Sequence, residues 1–309
     1  MPLHISLRPS SLEEVYGNDS IKTSLASIFA RKSDFPHAYL FTGPSGCGKT
    51  TFGRIIASLL KCGPDDLFEY NTANMRGIDT VREIDQNCRY APSSGSVKVY
   101  ILDEVHRTTV DFQNSLLKLL EDAPSHVFFI LCTTEPEKLL KTIHTRCSTY
   151  QVHPLLNNTM KQFLNDVVVG EGIDDFSGKV IDKIIQASEG SPRQALVILD
   201  QVIDITDEQE AVEAVSSFIA DDIKELKEVF QILLETKSTG KWDRIRATIK
   251  EIDLEPEKVR RSTLGYLGAV LLNRSSDDRV AELLGCFTDS WFYLGKSGMI
   301  RSFYYACKI

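Results

Sequence analysis

Short apolar runs alternate with amphipathic segments throughout the first half of the chain. The apolar runs are bounded by polar or glycine-containing turns, so they predict β-strands at 37–42, 67–71, 97–103, 127–133 and 148–152. The segments between them carry apolar residues at helical spacing and predict helices near 19–32, 49–61, 77–88, 109–122 and 136–141. This alternation predicts an α/β fold in which helices cover both faces of a parallel sheet.

The strand pattern ends near Leu155, and helical periodicity continues from there. Three short helices are predicted at 157–169, 176–188 and 192–204, and a linker follows at 204–208. Further helices are predicted at 209–218, 222–236, 241–252, 256–272, 277–286 and 290–307. We therefore expect three domains: an α/β nucleotide-binding domain over 1–154, a helical lid over 155–206 and an all-helical domain over 207–309.

A glycine-rich sequence joins the first predicted strand to the helix that follows it. It reads Gly43-Pro44-Ser45-Gly46-Cys47-Gly48-Lys49-Thr50, and Thr51 continues into the helix. Glycines allow the tight turn that aims backbone N–H groups at phosphates. Lys49 is expected to reach the β- and γ-phosphates, and the Thr50 hydroxyl to hold Mg²⁺. A chance glycine-rich turn is the alternative, but the strand–loop–helix setting favours a site for a nucleoside triphosphate.

Polar side chains follow two of the predicted strands. Asp103 and Glu104 end the strand at 97–103, where Asp103 is suited to hold magnesium and Glu104 to polarise the attacking water. Thr134 ends the next strand and could contact the γ-phosphate. The carboxyl ends of parallel strands meet at one edge of a sheet, so these residues are expected near Thr50. An ordinary strand followed by a solvated acidic turn is the alternative.

Two arginines lie outside these motifs. Arg146 has no obvious acidic partner nearby in the sequence, and it is expected to act in trans on ATP held by an adjacent subunit. Arg193 follows Gly190-Ser-Pro at the start of a predicted helix and would project from the lid toward the phosphates. For each of them, an exposed surface arginine is the alternative.

Composition narrows the class of protein. Hydrophobic residues make up 42% and charged residues 25%, which is ordinary for a soluble globular protein. Neither a membrane-span pattern nor a signal-peptide pattern is present, so a cytoplasmic location is expected. The seven cysteines are widely scattered and predict neither a disulfide framework nor a zinc site. The net charge of −8 argues against a broadly basic nucleic-acid coat protein but does not exclude DNA binding.

These residues together resemble the AAA+ ATPases of sliding-clamp loaders, namely the bacterial polymerase III tau/gamma subunit, the replication factor C small subunits and phage clamp-loader ATPases. The matching phrases run in family order from about residue 7 to residue 202. They are Arg8-Pro9, Glu14-Val-Tyr-Gly17, His37-Ala-Tyr-Leu-Phe41, the glycine-rich loop, Asn87-Cys-Arg-Tyr-Ala-Pro92, Lys98-Val-Tyr-Ile-Leu-Asp-Glu-Val-His106, Leu116-Leu-Lys-Leu-Leu-Glu121, Thr133-Thr-Glu-Pro136, Arg146-Cys147 and Gly190-Ser-Pro-Arg193. The resemblance implies a AAA+ P-loop fold with a three-helix lid and an all-helical C-terminal collar.

The resemblance also assigns further residues of the nucleotide site. It implies that Val15, Tyr16 and Gly17 wall the adenine pocket, that Thr134 is the first sensor and that Arg193 is the second. It identifies the trans-acting arginine finger with the arginine of the Arg-Cys pair at 146–147. ATP and Mg²⁺ are the cofactors that it implies.

Contacts to the DNA backbone are also implied by the resemblance. They fall on Arg76, Arg82 and Arg107, while Gln113 and Lys118 match positions that relay DNA contact to the catalytic glutamate. One or two phosphate contacts are weak alone, but several subunits in register add their contributions. Solvated or salt-bridged arginines are the alternative.

The chain departs from the bacterial subunit in two places. That subunit carries a four-cysteine zinc insertion after its phosphate-loop helix, whereas Lys61-Cys-Gly-Pro-Asp-Asp66 closes the gap here, so no zinc is expected. The long C-terminal extension of the tau form also has no counterpart in the sequence. These departures suit a phage or viral loader acting in an infected host cell, and a divergent cellular loader, in a bacterial cytoplasm, is the alternative.

The resemblance implies an ATPase subunit that opens a ring-shaped processivity clamp on ATP binding and releases it onto primer–template DNA on hydrolysis. Expected partners are other loader subunits in a pentamer, the clamp, primer–template DNA and, indirectly, the polymerase holoenzyme, with no membrane. One alternative is a hydrolysis-deficient structural subunit, although Lys49, Asp103, Glu104 and Arg146 are all present. Another is a different AAA+ motor for branch migration or helicase loading, which the helical C-terminal domain fits less well.

Overall fold

The computed structural model of the chain describes residues 1–31, 34–72, 78–173, 175–235, 240–251, 256–273, 278–291 and 294–309. The chain divides into two compact units, Met1–Val215 and Ser216–Ile309. The first unit contains both the predicted α/β domain and the predicted lid. The three-domain division, with boundaries after residues 154 and 206, stays a prediction.

The described residues of the first unit contain a five-stranded parallel sheet with the order β2-β3-β4-β1-β5. Its strands are β1 (Ala38–Thr42), β2 (Leu67–Asn71), β3 (Lys98–Asp103), β4 (Val127–Thr133) and β5 (Ser148–Gln151). All five predicted strands are confirmed to within a residue at each end. The central strands β1, β3 and β4 are buried along almost their whole length, because helices cover both faces.

Helices surround this sheet and continue beyond its last strand. They are α1 (Leu3–Ser6), α2 (Asp19–Ala30), α3 (Lys49–Leu59), α4 (Ile78–Cys88), α5 (Val110–Asp122), α6 (Lys141–Arg146), α7 (Asn157–Gly170), α8 (Gly178–Ser188) and α9 (Pro192–Val202). The prediction of a helix at 136–141 was wrong. A single 3-10 turn occupies Pro136–Lys138, and Leu139 and Leu140 are extended, because the core buries the Leu139 side chain to 5% exposure.

The residues of β1 alternate between the two faces of the sheet and so belong to two different cores. Tyr39 and Phe41 pack with α3, where the rings of Phe41 and Phe52 stack with centroids 5.6 Å apart. Ala38 and Leu40 pack on the opposite face with α4 and α5. Burial on both sides holds β1 in place, and with it the loop that follows.

The secondary-structure elements described in the second unit are all α-helices. The helices are α10 (Glu208–Leu234), which begins in the first unit, α11 (Lys241–Glu251), α12 (Pro256–Asn273), α13 (Asp278–Gly285) and α14 (Gly295–Ala306). The prediction of two helices at 209–218 and 222–236 was wrong, because α10 is continuous and its sequence contains no glycine or proline that would interrupt it. The rings of Phe287, Trp291 and Phe303 form the centre of its core.

None of the helices in the described ranges combines the length and the hydropathy that a lipid bilayer requires of a spanning segment.

Candidate nucleotide-binding site

The glycine-rich loop leaves the carboxyl end of β1 and enters the amino end of α3. Gly43, Gly46 and Gly48 adopt φ values of +147°, +74° and +101°, which side chains disfavour. A Cβ atom on Gly43 would lie 2.2 Å from the carbonyl oxygen of Val152. The loop therefore turns tightly at the helix N-terminus, and a helix N-terminus attracts anions such as phosphate.

The ammonium group of Lys49 is held at the mouth of this loop. Its Nζ donates to the carbonyl oxygens of Gly43 at 2.8 Å and Pro44 at 2.9 Å. The residue is only 6% exposed. Both bonds are to the loop itself, so the ammonium can exchange one of them for a phosphate oxygen without leaving its place.

The two residues predicted to hold magnesium are in direct contact. Thr50 Oγ1 donates to Asp103 Oδ2 at 3.1 Å, and Asp103 Oδ1 accepts the backbone N–H of Glu104 at 3.0 Å. Hydroxyl and carboxylate oxygens are the ligands that Mg²⁺ prefers. The pair therefore fits a magnesium ion bound together with phosphate oxygens.

Glu104 follows β3 in a left-handed backbone conformation, with φ 54° and ψ 38°. Thr72 holds this turn, because its Oγ1 donates to the carbonyl oxygens of Asp103 at 2.9 Å and Glu104 at 2.8 Å. Thr134 Oγ1 donates to Glu104 Oε2 at 3.4 Å. Burial, together with the nearby Asp103 carboxylate, raises the pKa of Glu104, although the Lys49 ammonium opposes that shift. The predicted meeting of strand ends is therefore confirmed for these residues.

A buried histidine adjoins Glu104. The His106 side chain is 2% exposed, and its Nε2 lies 3.3 Å from Glu104 Oε2 and 3.2 Å from Glu135 Oε1. Its Nδ1 lies 3.0 Å from Thr133 Oγ1. Burial lowers the pKa of His106 to about 4. No role was predicted for His106, since its one signal in the sequence was a polar side chain two positions after Glu104.

An apolar pocket opens beside the glycine-rich loop. The predicted residues that line it are Val15, Tyr16, Gly46, Cys47, Gly48, Thr51 and Arg193. Tyr16 packs its ring on Phe163 with centroids 5.0 Å apart, and its hydroxyl donates to Asp166 Oδ2 at 2.6 Å, which raises the pKa of Tyr16 to about 12. Gly17 is not among the residues that line the pocket. It packs against Leu155, which does line it, and a Cβ atom on Gly17 would approach Leu155 Cδ2 to 2.8 Å.

A polar groove continues from this pocket toward the strand ends. Ser45, Lys49, Thr50, Asp103 and Glu104 line it. The residues common to the groove and the apolar pocket are Arg8, Gly46, Gly48, Thr51 and Arg193. The two cavities therefore form one continuous surface, apolar at one end and charged at the other.

The lid helix α9 rests directly on the glycine-rich loop. The backbone N–H of Arg193 donates to the Gly46 carbonyl oxygen at 3.4 Å. A Cβ atom on Gly46 would lie 2.3 Å from Ser191 Oγ and 3.3 Å from Arg193 Cβ. The glycine at position 46 is what allows the lid to approach so closely, and this approach brings Arg193 to the groove.

Arg8 is a second cation of the groove that the sequence analysis did not assign. It follows α1, which packs against α9. Within the described ranges, neither Arg8 nor Arg193 has a side-chain hydrogen bond or ion pair. Burial and the neighbouring guanidinium groups of Arg54 and Arg193 lower the pKa of Arg8. Two unpaired guanidinium groups beside a phosphate loop favour a highly charged anion.

Arg146 lies outside this groove and has an acidic partner of its own. Its Nε donates to Glu121 Oε1 at 2.5 Å, and a second nitrogen pairs with the same oxygen. The sequence indicated no acidic partner close to Arg146, and Glu121, 25 residues earlier in the chain, becomes its partner because folding brings α5 beside α6. The Arg146 side chain is 34% exposed, so it remains open to a second molecule.

The residues predicted to contact DNA lie on the exposed surface or outside the described residues. Arg82 is exposed on α4 and Arg107 is exposed in the turn Val105–Arg107, whereas Arg76 lies outside the described residues. Lys118 is exposed on α5. These DNA contacts stay predictions.

Gln113 braces the segment after β4 and does not bond to Glu104. Its Oε1 accepts the backbone N–H of Leu140 at 2.9 Å, and its Nε2 donates to the carbonyl oxygen of Lys138 at 3.4 Å. The segment that Gln113 holds leads from Glu135 to α6 and Arg146.

Among the described residues, there is no group of three or more His, Cys, Asp or Glu side chains that could hold a metal ion. The expected absence of zinc stays a prediction.

Residues 65–156 match the family model described as DNA polymerase III, delta subunit. The chain is 36% identical over 228 residues to DNA polymerase III subunit gamma/tau of Mycobacterium tuberculosis H37Rv, covering 66% of the chain and 39% of that protein. It is 32% identical over 291 residues to DNA polymerase III subunit tau of Escherichia coli K12, covering 86% of the chain and 44% of that protein. The chain thus spans about two fifths of the length of these relatives.

The solved structure of the Thermotoga maritima RuvB Holliday junction branch migration motor has a similar fold. The TM-score is 0.61 at 21% sequence identity, over 79% of this chain and 85% of that one. Likeness at this level of identity concerns the fold alone. Together with the relatives, it confirms the predicted fold class and the resemblance to clamp-loader subunits.

Proposed function

We propose that this chain, a AAA+ relative of the DNA polymerase III gamma/tau subunits, is an ATPase subunit of a sliding-clamp loader. ATP binding opens a ring-shaped clamp, and hydrolysis releases the clamp onto primer–template DNA during replication. One observation carries the proposal: the groove collects Lys49, Thr50, Asp103 and Glu104, whereas Arg146 lies outside it on α6. A site divided in this way suits an ATPase that is completed by a neighbouring subunit.

The continuous surface explains how ATP is bound. The adenine ring occupies the apolar pocket beside Val15 and Tyr16, and the triphosphate follows the loop into the polar groove. Lys49, Arg8 and Arg193 are the cations that receive the phosphate oxygens. Since Arg193 belongs to the lid helix, the charge of the bound nucleotide controls how firmly the lid sits on the loop.

Hydrolysis depends on Glu104. Its carboxylate accepts a proton from the attacking water as the oxygen of that water bonds to the γ-phosphorus and the bond to ADP breaks. Thr134, which donates to Glu104 Oε2, holds the carboxylate toward the groove. Thr50 and Asp103 would hold Mg²⁺, which neutralises charge on the phosphate oxygens when bound.

Arg146 completes the site of an adjacent subunit. Its guanidinium leaves Glu121 and binds the γ-phosphate of the ATP that the neighbour holds. There it stabilises the charge that develops in the transition state. The proposed assembly is a pentamer of loader subunits that contacts a sliding clamp and primer–template DNA, and it acts with a polymerase holoenzyme only indirectly. The helical C-terminal domain forms its collar.

The proposal is tested on the chain purified together with its partner subunits. The steady-state ATPase rate is expected to rise when clamp and primed DNA are added together, whereas the isolated chain binds ATP and hydrolyses it slowly. Lys49→Ala is expected to abolish ATP binding and clamp opening. Glu104→Gln is expected to bind ATP and open the clamp without releasing it.

Three results would contradict this function. If Glu104→Gln hydrolyses ATP at the normal rate, the assignment of the water-activating residue is wrong. If neither clamp nor primed DNA alters the ATPase rate of the full assembly, the protein is a AAA+ motor of another kind, such as a branch-migration motor or a helicase loader. A complete assembly that loads clamps while this chain hydrolyses nothing would identify a structural subunit.

A further inference from the structure

His106 lies between two carboxylates that come from different strand ends. Glu104 follows β3 and Glu135 follows β4, and both approach the same imidazole nitrogen at 3.3 Å and 3.2 Å. The imidazole is enclosed, because its side chain is 2% exposed. The bonds of a buried imidazole hold it in one orientation, so the identity of its protonated nitrogen matters.

The hydrogen bonds around His106 identify that nitrogen. The two carboxylates that face Nε2 accept hydrogen bonds and cannot donate them, so they favour the neutral tautomer that carries its hydrogen on Nε2. In that tautomer Nδ1 accepts a hydrogen bond from the Thr133 hydroxyl at 3.0 Å, and Thr133 Oγ1 in turn accepts the backbone N–H of Glu135 at 3.0 Å. Burial, which lowers the pKa of His106 to about 4, keeps the ring neutral at physiological pH.

One Nε2–H is therefore available to two carboxylates. Glu135 is also held from its other oxygen, since Lys138 Nζ lies 2.7 Å from Glu135 Oε2. Glu104 Oε2 accepts from Thr134 as well as facing His106. Because both donors meet the same oxygen, Oε1 of Glu104 remains available for a water molecule.

We propose that His106 is a positioning residue for Glu104, whose Nε2–H orients the carboxylate for water activation, and that Glu135 competes for the same hydrogen. This inference rests on the proposed ATPase function. His106 is not among the residues that line the polar groove, so it acts through Glu104. When Nε2–H donates to Glu135, the Glu104 carboxylate loses this hydrogen bond and is less well oriented. When Nε2–H donates to Glu104, the carboxylate is held in place.

Glu135, the competing carboxylate, lies on the segment that leads to Arg146, the proposed arginine finger. Glu135 precedes the turn Pro136–Lys138, and α6 with Arg146 follows within the same stretch of chain. Gln113 braces this segment through Lys138 and Leu140. Engagement of Arg146 with a neighbouring subunit therefore has a short covalent path to the residue that competes for the hydrogen of His106.

The first test compares two substitutions at position 106 in the full assembly, with clamp and primed DNA present. His106→Leu fills the site but cannot donate, and its kcat is expected to fall by about tenfold while the Kd for ATP is unchanged. The side-chain amide of His106→Gln can donate from a similar place and is expected to restore most of the rate. His126→Gln, which alters a histidine bonded to backbone carbonyls elsewhere, is the matched control.

An unchanged kcat in His106→Leu would overturn the inference, as would a His106→Gln protein that is as slow as His106→Leu. Failure of the proposed function is recognised separately. In that case Glu104→Gln also hydrolyses ATP normally, whereas the inference alone fails when Glu104→Gln is inactive and His106→Leu is not.

The second test begins with His106 in place, so its main comparison does not depend on the folding of the buried-site variants. Glu135→Ala removes the competing carboxylate and is expected to raise kcat by roughly two- to threefold. Glu137→Ala, which removes an exposed carboxylate from the same turn, is expected to change nothing. A Glu135→Ala protein with an unchanged or lower kcat would overturn the competition. In the His106→Leu background Glu135→Ala is expected to have no effect, and a further increase there would overturn it too.

Discussion

Arg146, the last residue of α6, forms an ion pair with Glu121 near the end of α5, with Nε 2.5 Å from Oε1. The pair is partly solvated, with the side chains 34% and 46% exposed. Ion pairs at such surfaces contribute about 0–1 kcal/mol, so exchanging Glu121 for a phosphate in another subunit costs little. The partial exposure of Arg146 is therefore compatible with its proposed action on a neighbouring subunit.

Loss of this arginine is expected to remove hydrolysis and leave binding intact. For Arg146→Ala, kcat in the assembled complex should fall by roughly 10³-fold, since arginine fingers contribute about that much, with the Kd for ATP unchanged. Steady-state ATPase and nucleotide-binding titrations measure the two quantities. Arg89→Ala, which also removes an exposed arginine paired with an acidic side chain, is the control. Normal turnover by Arg146→Ala would exclude the trans-acting role.

A methyl group at position 46 is expected to lift the lid. Gly46→Ala places a Cβ atom 2.3 Å from Ser191 Oγ in a backbone region that side chains disfavour, so α9 must move away from the loop. ATP affinity, measured by titration calorimetry, should drop by at least tenfold as Arg193 withdraws. Gly265→Ala, where no atom lies within 4 Å of the added carbon, should leave affinity intact. Unaltered binding by Gly46→Ala would mean that the contact between lid and loop has no role in ATP binding.

Arg8 is expected to discriminate between nucleotides by charge. Arg8→Ala removes one of the two unpaired guanidinium groups of the groove, so the Kd for ATP should rise by about tenfold, and by less for ADP, which carries fewer charges. Arg31→Ala removes an exposed arginine outside the groove and serves as the control. Equal losses for ATP and ADP would indicate that Arg8 supports the pocket rather than the terminal phosphate.

Stability is expected to fall as the pH decreases from about 6.5 to 4. His106 has its pKa lowered to about 4 in the folded protein against 6.5 in the unfolded chain, so the unfolded chain binds the proton first. The contribution of this group to the free energy of unfolding is complete above the unfolded value. It is lost at up to about 1.4 kcal/mol per pH unit as the pH falls toward the folded value. Urea unfolding at several pH values measures the free energy of unfolding of the wild type and of His106→Gln. The wild type is expected to lose more of this free energy than His106→Gln between pH 6.5 and 4, and an equal loss in both would contradict the lowered pKa of His106.

Local sequence patterns identified most of the fold and part of the site. The strands were predictable because a sheet that is buried on both faces requires continuous apolar runs, such as Tyr39–Phe41 and Val99–Leu102. The glycine-rich loop was predictable because each positive φ at 43, 46 and 48 demands glycine wherever the chain folds. The sequence wrongly predicted a helix at 136–141. Leu139 is buried in a core that other elements assemble, and this burial overrides the local helical pattern.

The sequence alone therefore determined where the phosphate loop lies and which carboxylates follow the neighbouring strand, because backbone conformation and periodicity depend on residues close in the chain. Tertiary structure alone decided that Arg8 and Arg193 line the same groove, that Glu121 pairs with Arg146 and that Glu104 shares His106 with Glu135. These relationships join residues from separate elements. Their strength depends on distances of a few ångströms that are set by the order of strands in the sheet and by how closely the lid packs on the loop.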